Sequence, residues 1–501
     1  MLADEHDGSE HPQARDEGPG WARNGLEIRA GRFPLSVEAH LLNMTAKLVP
    51  GATTVTINAR YYALHGLVAL EADQRGLGLA EAYDLLRRCE VVVAGASIAH
   101  PDDVAGTPHG YDAIKPSYDQ DGFLNVAKLA TPGGYSKPKT GFLNPYLGSE
   151  LTLKILGDTA LAPGSRLDEP ALRLGFDGLF DLASEDQVLM DDLAGYPHLA
   201  IGAANNDHDG RWLKRVLCSV GVSDPVKIDD TRRGTVRLLC RAAQAENPTK
   251  LVDAFRDLVV FGDLSKDPVV ASVPETQAWR GALFRHDSVG AWRLLWAWMV
   301  EQIQVVTPPS ELQEMLAAAL PTGTLSEFLD DLPATMDGAQ PLDAEGQIRS
   351  LHLSVPNECL ALLALGAKRS GELEGTARAA LVGDQRRALV LSPVWFASWL
   401  DDRRKCSMAD VAAELVTVLL DRSRRIAMGK LRPRSDGTVW LPTRVQEHAG
   451  LLVAVGHEGS GNVGLRLAQL AGILEVLGVL ERTDGHWGAT SEGVDLLDLP
   501  A

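Results

Sequence analysis

Four consecutive residues, His100-Pro101-Asp102-Asp103, are the stretch of this sequence best equipped for chemistry. An imidazole and a carboxylate two positions apart can ligate a divalent cation while the next carboxylate activates a bound water, which is what metal-assisted hydrolysis needs. His109 completes a candidate set on the Gly-, Pro-, Tyr- and Asp-rich stretch 99–146. The run Asn205-Asn206-Asp207-His208-Asp209-Gly210 offers the ligand types of a cation loop and equally the composition of a polar turn. Asp112 with Lys115, and Glu150 with Lys154, pair a carboxylate with a lysine at spacings that arise constantly by chance. Cys89, Cys218, Cys240, Cys359 and Cys406 stand singly, which fits neither a disulfide framework nor a paired-thiolate zinc site. The pattern GxxxxGK[ST] is absent, so a P-loop nucleotide site is unsupported and no cofactor is expected.

For nucleic acid the best patch is Arg422, Arg424, Arg425, Lys430, Arg432 and Arg434, with Arg403-Arg404-Lys405 nearby in sequence. Clustered Lys and Arg are what phosphate recognition runs on, whereas the whole chain carries a formal net charge of -19. From Trp440 onward Glu447, Glu458, Glu475, Glu481, Asp484, Glu492, Asp495 and Asp498 oppose only Arg444, Arg466 and Arg482. That end of the chain repels phosphates and favours a protein partner.

The elements that must position these groups read as mainly α-helical. A chain of 501 residues exceeds what one hydrophobic core organises, and 45% hydrophobic against 23% charged residues is ordinary for a folded protein. Residues 1–25, with His6 and His11, read as a disordered leader. Residues 26–160 read as an N-terminal helical module with a long Gly/Pro-rich loop, organised around Leu48–Leu70. There Pro50-Gly51 makes a turn, Thr53/Thr54 offer capping hydroxyls, and Ile57, Tyr61, Leu64 and Val68 form an apolar stripe. Arg60, beside Tyr61 and Tyr62, must snorkel outward or find a carboxylate or phosphate. Helices are also expected from Ser36 and after Gly78, the latter with Val91-Val92-Val93 open to reading as a strand.

Past a linker-like Ala162-Pro163-Gly164-Ser165, residues 166–350 read as a helical middle domain whose clearest helix, after Ser288, carries Trp292, Leu295, Trp296, Met299, Val300 and Ile303 on one face. Residues 351–435 read as a helical segment with a basic end, its starts marked by Pro356 and Ser392-Pro393. In 436–501 the pattern predicts a strand at 438–441, helices at 445–455 and 463–477, and a hairpin turning at Asp484-Gly485. Helix, helix, hairpin resembles a winged helix, a module that serves DNA and protein recognition alike. No apolar run approaches the roughly 20 residues of a membrane span, so no membrane is expected and a reducing cytoplasm is the expected setting.

Two further resemblances follow from these residues. Ala99-His100-Pro101-Asp102-Asp103 resembles the zinc motif of LmbE-like deacetylases, with Val91–Gly95 as the preceding strand, and implies zinc on His100 and Asp102 with Asp103 activating water. It departs from that family at Val104, where a Glu is expected, and in lacking a downstream HxxH. Leu48–Leu70 followed by Leu86-Arg87-Arg88-Cys89-Glu90 resembles uncharacterised bacterial proteins, some encoded near phage-defence genes, over about a fifth of the chain. The expectation is a non-enzymatic interaction or adaptor protein of a DNA-associated or phage-defence assembly. It would meet a protein partner through its C-terminal domain and nucleic acid through the basic segment. A metal-dependent hydrolase using the 99–146 loop and a winged-helix transcriptional regulator are the alternatives.

Overall fold

The computed structural model describes residues 26–159, 161–246, 248–263, 266–383, 390–433 and 438–500. The leader and Arg434 lie outside them. The chain is mainly helical, 58% helix against 8% strand, and no helix is long and apolar enough to cross a membrane. Its contacts group it into two compact units, each discontinuous in sequence: 1–42 with 281–463, and 43–280 with 464–501.

In the second of these, helices α1 (Ala39–Leu48, in part), α2 (Arg60–Gln74) and α3 (Leu79–Ala99) are followed by α4 (Tyr111–Asp121), α5 (Val126–Leu129) and α6 (Leu143–Thr152). Helix α2 is enclosed on nearly every side, from Arg60 through Ala69. The capping expected of Thr53/Thr54 is not made, because α2 begins seven residues after Thr53, behind an uncapped Ala59. Thr53 and Thr56 instead bond each other, the Thr53 N–H donating to Thr56 Oγ1 at 2.8 Å, in a segment that leaves Ile57 half in water rather than on the stripe. Ser36 likewise has a left-handed backbone (φ 55°) three residues ahead of α1.

Val91-Val92-Val93 lie in the buried middle of α3, so the strand alternative is overturned: the helix runs unbroken on both sides of them and their β-branches pack inside. The stretch 99–146 is not an unstructured excursion, since α4, α5 and the start of α6 fall within it. The linker expected at 162–165 is a tight internal bend in which the Gly164 N–H donates to Ile155 O at 2.9 Å. A Cβ at Gly164 would meet the Lys154 carbonyl at 2.1 Å, so only glycine permits that approach. After Gly464 the unit is completed by the helix Leu467–Val476, the antiparallel hairpin Leu480–Thr483 with His486–Ala489, and the helix Ser491–Leu496. Asp484 and Gly485 both have positive φ (53° and 81°), as the expected tight turn requires.

In the other unit the strand Leu26–Arg29 runs parallel to Val439–Pro442, Leu26 opposite Val439, and Arg432–Pro433 pairs antiparallel on the far side. Trp292, Leu295, Trp296, Met299 and Val300 are buried as the stripe predicted, on a helix (Glu275–Gln302) that contains Ser288 rather than starting at it. Ser392 caps the helix Pro393–Asp401 by accepting the Trp395 N–H at 3.2 Å. The helix expected at 445–455 is a hairpin, Val445–His448 with Leu451–Ala454, turning at Ala449 and Gly450, both with positive φ (51° and 78°). Only one helix therefore precedes the hairpin of the C-terminal stretch, and the helix-helix-hairpin order is not found among the described residues of 436–501. The boundaries of the two units also divide residues 436–501 at 463.

Candidate functional site

The residues with the most obvious metal chemistry are not brought together. Helix α3 ends at Ala99, and His100 turns its Nε2 to the Ala194 carbonyl at 3.2 Å. Asp102 folds back to accept the N–H groups of Val104 and Ala105 at 2.9 and 2.8 Å, and Asp103 is exposed. In the run 205–210 the turn reading holds: Asp207 accepts the His208 N–H at the start of the helix His208–Cys218, and Asp209 points inward. Among the described residues no three His, Cys, Asp or Glu side chains are arranged to hold a metal ion.

Asp209 is the carboxylate that Arg60 needed. The guanidinium is fully enclosed, with Nε and Nη2 each 3.0 Å from the Asp209 oxygens, Nη2 also donating to Gly175 O at 2.7 Å and Nη1 to His198 O and Ala200 O, the latter at 2.5 Å. Asp207 stands 3.4 Å from Nη2, and the Phe176 ring 4.5 Å from the guanidinium carbon. Five donors in a rigid fork suit such a cradle. Burial raises the Asp209 carboxyl above its ordinary range while Arg60 opposes the rise.

One helical turn along α2, His65 makes a second buried cluster. Its Nδ1 lies 2.6 Å from Glu150 Oε1 on α6 and its Nε2 3.1 Å from Glu90 Oε1 on α3, all three side chains at most 1% exposed. Two ring nitrogens that both face carboxylates require a proton on each, on the ring or on a carboxyl. Burial works against a charged ring, but Glu150 and Glu90 outweigh it and hold the His65 pKa up at about 9. Glu150 is raised too, first by burial. Glu90 also accepts the Phe142 N–H at 3.1 Å on both oxygens and the Tyr135 hydroxyl.

From this cluster an aromatic layer leads outward. Tyr61 and Tyr146 lie 5.9 and 5.5 Å from the His65 ring, centroid to centroid. His109, half-buried, places Nε2 2.9 Å from the Tyr146 hydroxyl, donates its backbone N–H to the Tyr61 hydroxyl at 3.0 Å and stacks on Phe142 at 4.4 Å. Burial, aided by the charge of His65, depresses His109 to about 4, so it is neutral at neutral pH. Tyr62 instead donates to Gly51 O at 2.8 Å, which ties α2 to the Pro50-Gly51 turn. Of the 99–146 set only His109 joins the cluster.

His65, Glu90 and Glu150 escaped the sequence reading as a site. The available signals were a histidine four residues after Tyr61, hence on one helix face, and a glutamate wedged between Cys89 and Val91 in an apolar run. Chemically the cluster can retain a proton and anchor backbone. A reacting atom would have to reach groups that no water touches.

The basic segment is largely turned to internal use. Arg422 Nε donates to Leu35 O at 3.0 Å, and Lys430 Nζ to Arg32 O and Phe33 O at 2.5 and 2.9 Å. Arg424 lies between Asp421 and Glu447, at 2.8 and 3.7 Å. Arg425 and Arg432 are exposed. Compared with protein-family models, curated proteins and solved structures, the chain finds no match in any of the three.

Proposed function

We propose that this protein is a non-enzymatic interaction or adaptor component whose partner is another polypeptide. The observation that carries the reading is an apolar edge on the unit of 1–42 and 281–463. Val305 and Val306 are 77% and 50% exposed. They precede Thr307, whose backbone exchanges hydrogen bonds of 3.0 and 2.8 Å with Leu452 of the 445–454 hairpin. Val453 and Ala454 on that strand and Val455 just past its end are half-exposed, and Leu451 is 39% exposed. Large aliphatic side chains gathered in water mark an interaction surface more than they serve a monomer. The inward use of Arg60, His65, Glu90 and Glu150 is in keeping with this, since those groups hold the scaffold.

The hydrolase alternative needs His100, Asp102 and Asp103 around one ion, whereas His100 faces the Ala194 carbonyl and Asp102 the N–H groups of Val104 and Ala105. Of the DNA arm, Arg422, Arg424 and Lys430 are engaged within the unit, Arg425 and Arg432 are exposed, and Arg434 lies outside the described residues. The test is tagged protein purified from the cells that naturally make it, as wild type and as Val305→Asp with Val306→Asp. Both substitutions are on the surface and should change stability by no more than about 0.5 kcal/mol each. A polypeptide recovered in stoichiometric amount with wild type and lost from the variant is expected. Recovery unchanged by the substitutions sinks the proposal, and so does retention on heparin that disappears in Arg425→Ala with Arg432→Ala and brings nucleic acid instead.

A further inference from the structure

In the unit of 1–42 and 281–463 the least compensated charge is Arg285. It is 4% exposed, donates Nη2 to Val37 O at 3.3 Å, and leaves Nε and Nη1 with no hydrogen-bond partner among the described residues. Burial lowers it to about 10, which still leaves it charged at neutral pH. A buried cation needs hydrogen-bond acceptors on its donors, and a single long bond to a carbonyl leaves most of that need unmet.

The surroundings add positive charge. Glu38, the carboxylate acting on Arg285, accepts from Arg293 Nη1 on Oε1 at 2.8 Å and has no partner for Oε2 among the described residues. Arg293 donates Nε to Gly461 O at 2.8 Å and lies over the Phe33 ring, whose residue's carbonyl takes Lys430. Arg444 reaches the same loop, with Nη1 donating to His457 O at 2.7 Å and Nε 3.0 Å from Glu458. Four cations thus gather around two carboxylates, an excess of positive charge in a chain of net charge -19.

Two of them, Arg293 and Arg444, hold the exposed segment Gly456-His457-Glu458-Gly459-Ser460-Gly461-Asn462, in which Glu458 alone is half-buried. The backbone N–H groups of residues 457 to 461 make no backbone hydrogen bond among the described residues, and a Cβ at Gly459 or Gly461 would meet nothing within 4 Å. Open glycines with undirected amides above a cationic floor are the means by which backbone approaches an oxyanion. The strand before the loop pairs antiparallel, so this is not the parallel crossover of a dinucleotide-binding fold.

We propose that the 456–462 loop and the cations linked to it through Glu38 and Glu458, namely Arg285, Arg293, Lys430 and Arg444, form a binding site for a small phosphate-bearing ligand. A tetrahedral phosphate can accept from several guanidinium and amide donors at once. A duplex backbone cannot enter, because the Arg293 and Arg444 side chains are only 17% and 18% exposed.

The probes are inorganic phosphate and pyrophosphate, titrated calorimetrically into the full chain, with sodium chloride matching ionic strength and a short DNA duplex as competitor. One saturable site is expected, weakened by roughly ten-fold or more in Arg285→Gln, about the loss of one charge-assisted hydrogen bond. Gly459→Asp, a change on an open loop that places a carboxylate over the site, should weaken binding similarly in a chain of unchanged thermal stability. The absence of saturable heat with either probe overturns the proposal, leaving Arg285 and Glu38 to a bridging water. Affinity unchanged in folded Gly459→Asp, or displacement of pyrophosphate by the duplex, overturns it as well.

Discussion

His65 shows how much one side chain can decide. It sits between Glu90 and Glu150 with no exposed surface, so His65→Leu leaves two buried carboxylates without a counter-charge. Removing one member of such a group costs roughly 3–5 kcal/mol, which a shift in the urea midpoint would report. The pH dependence has a definite sign. A folded pKa of about 9 against an ordinary 6.5 means the folded protein holds a proton the unfolded chain releases, so this stabilisation is complete below 6.5 and lost as pH rises through 9. Glu150, also raised, acts in the same direction. His109 works at the other end: lowered to about 4, it makes the folded state bind fewer protons, and stability falls as pH drops from 6.5 through 4. Urea midpoints should therefore fall from pH 6.5 through 9, in a limb that is shallower in His65→Leu. An alkaline limb of equal slope in both proteins would refute the assignment. At this scale the sequence was legible for Arg60 down to two outcomes, snorkelling outward or finding an anion, and on the enclosed helix α2 it is the second, with Asp209. It was silent for the His65 cluster, whose three members lie 25 and 60 residues apart along the chain and meet only after α2, α3 and α6 pack.

Among elements, the same arginine joins four pieces: α2, the bend after Glu169–Gly175, the 197–206 turns and the start of His208–Cys218. Arg60→Lys keeps the charge but supplies one ammonium where five directed donors served three carbonyls and a carboxylate. The expected cost is about 3 kcal/mol, with faster amide exchange over 197–206. A variant as stable as wild type would show that the cradle needs only charge. Helices were the readable elements, because long apolar stripes such as Trp292 to Val300 admit one period. The hairpin at 445–454 was misread for a physical reason. Leu451-Leu452-Val453 is a short apolar run that suits either state, and what decides is the left-handed pair Ala449-Gly450, which a helix cannot contain. The stretch 99–146 was misread in the opposite sense, since α4 carries Pro116 and so few apolar residues that its period is hidden.

For the molecule as a whole, contiguous domains are the natural expectation from a linear reading, yet neither compact unit is contiguous. The parallel pairing of Leu26–Arg29 with Val439–Pro442 spans more than four hundred residues and leaves no local trace. Such distance is no barrier, because the entropy of closing a loop grows only with the logarithm of its length. The C-terminal stretch follows the same logic. Trp487 donates its backbone N–H to Pro248 O at 2.8 Å, Arg237 donates to Leu497 O at 3.0 Å, and Glu492 pairs at 2.7 Å with Lys214, which is only 2% exposed. Leu467, Leu470, Ile473, Leu474 and Leu477 are buried with them. Residues 464–501 are thus part of the core built by 43–280 rather than a free-standing recognition module. A chain ending at Val463 should lose amide protection along the helix Lys227–Glu246, which carries Arg237, because its covering strand and the carbonyl at Leu497 are gone. A free-standing module would leave that helix as protected as before, so hydrogen exchange on the truncated chain separates the two pictures.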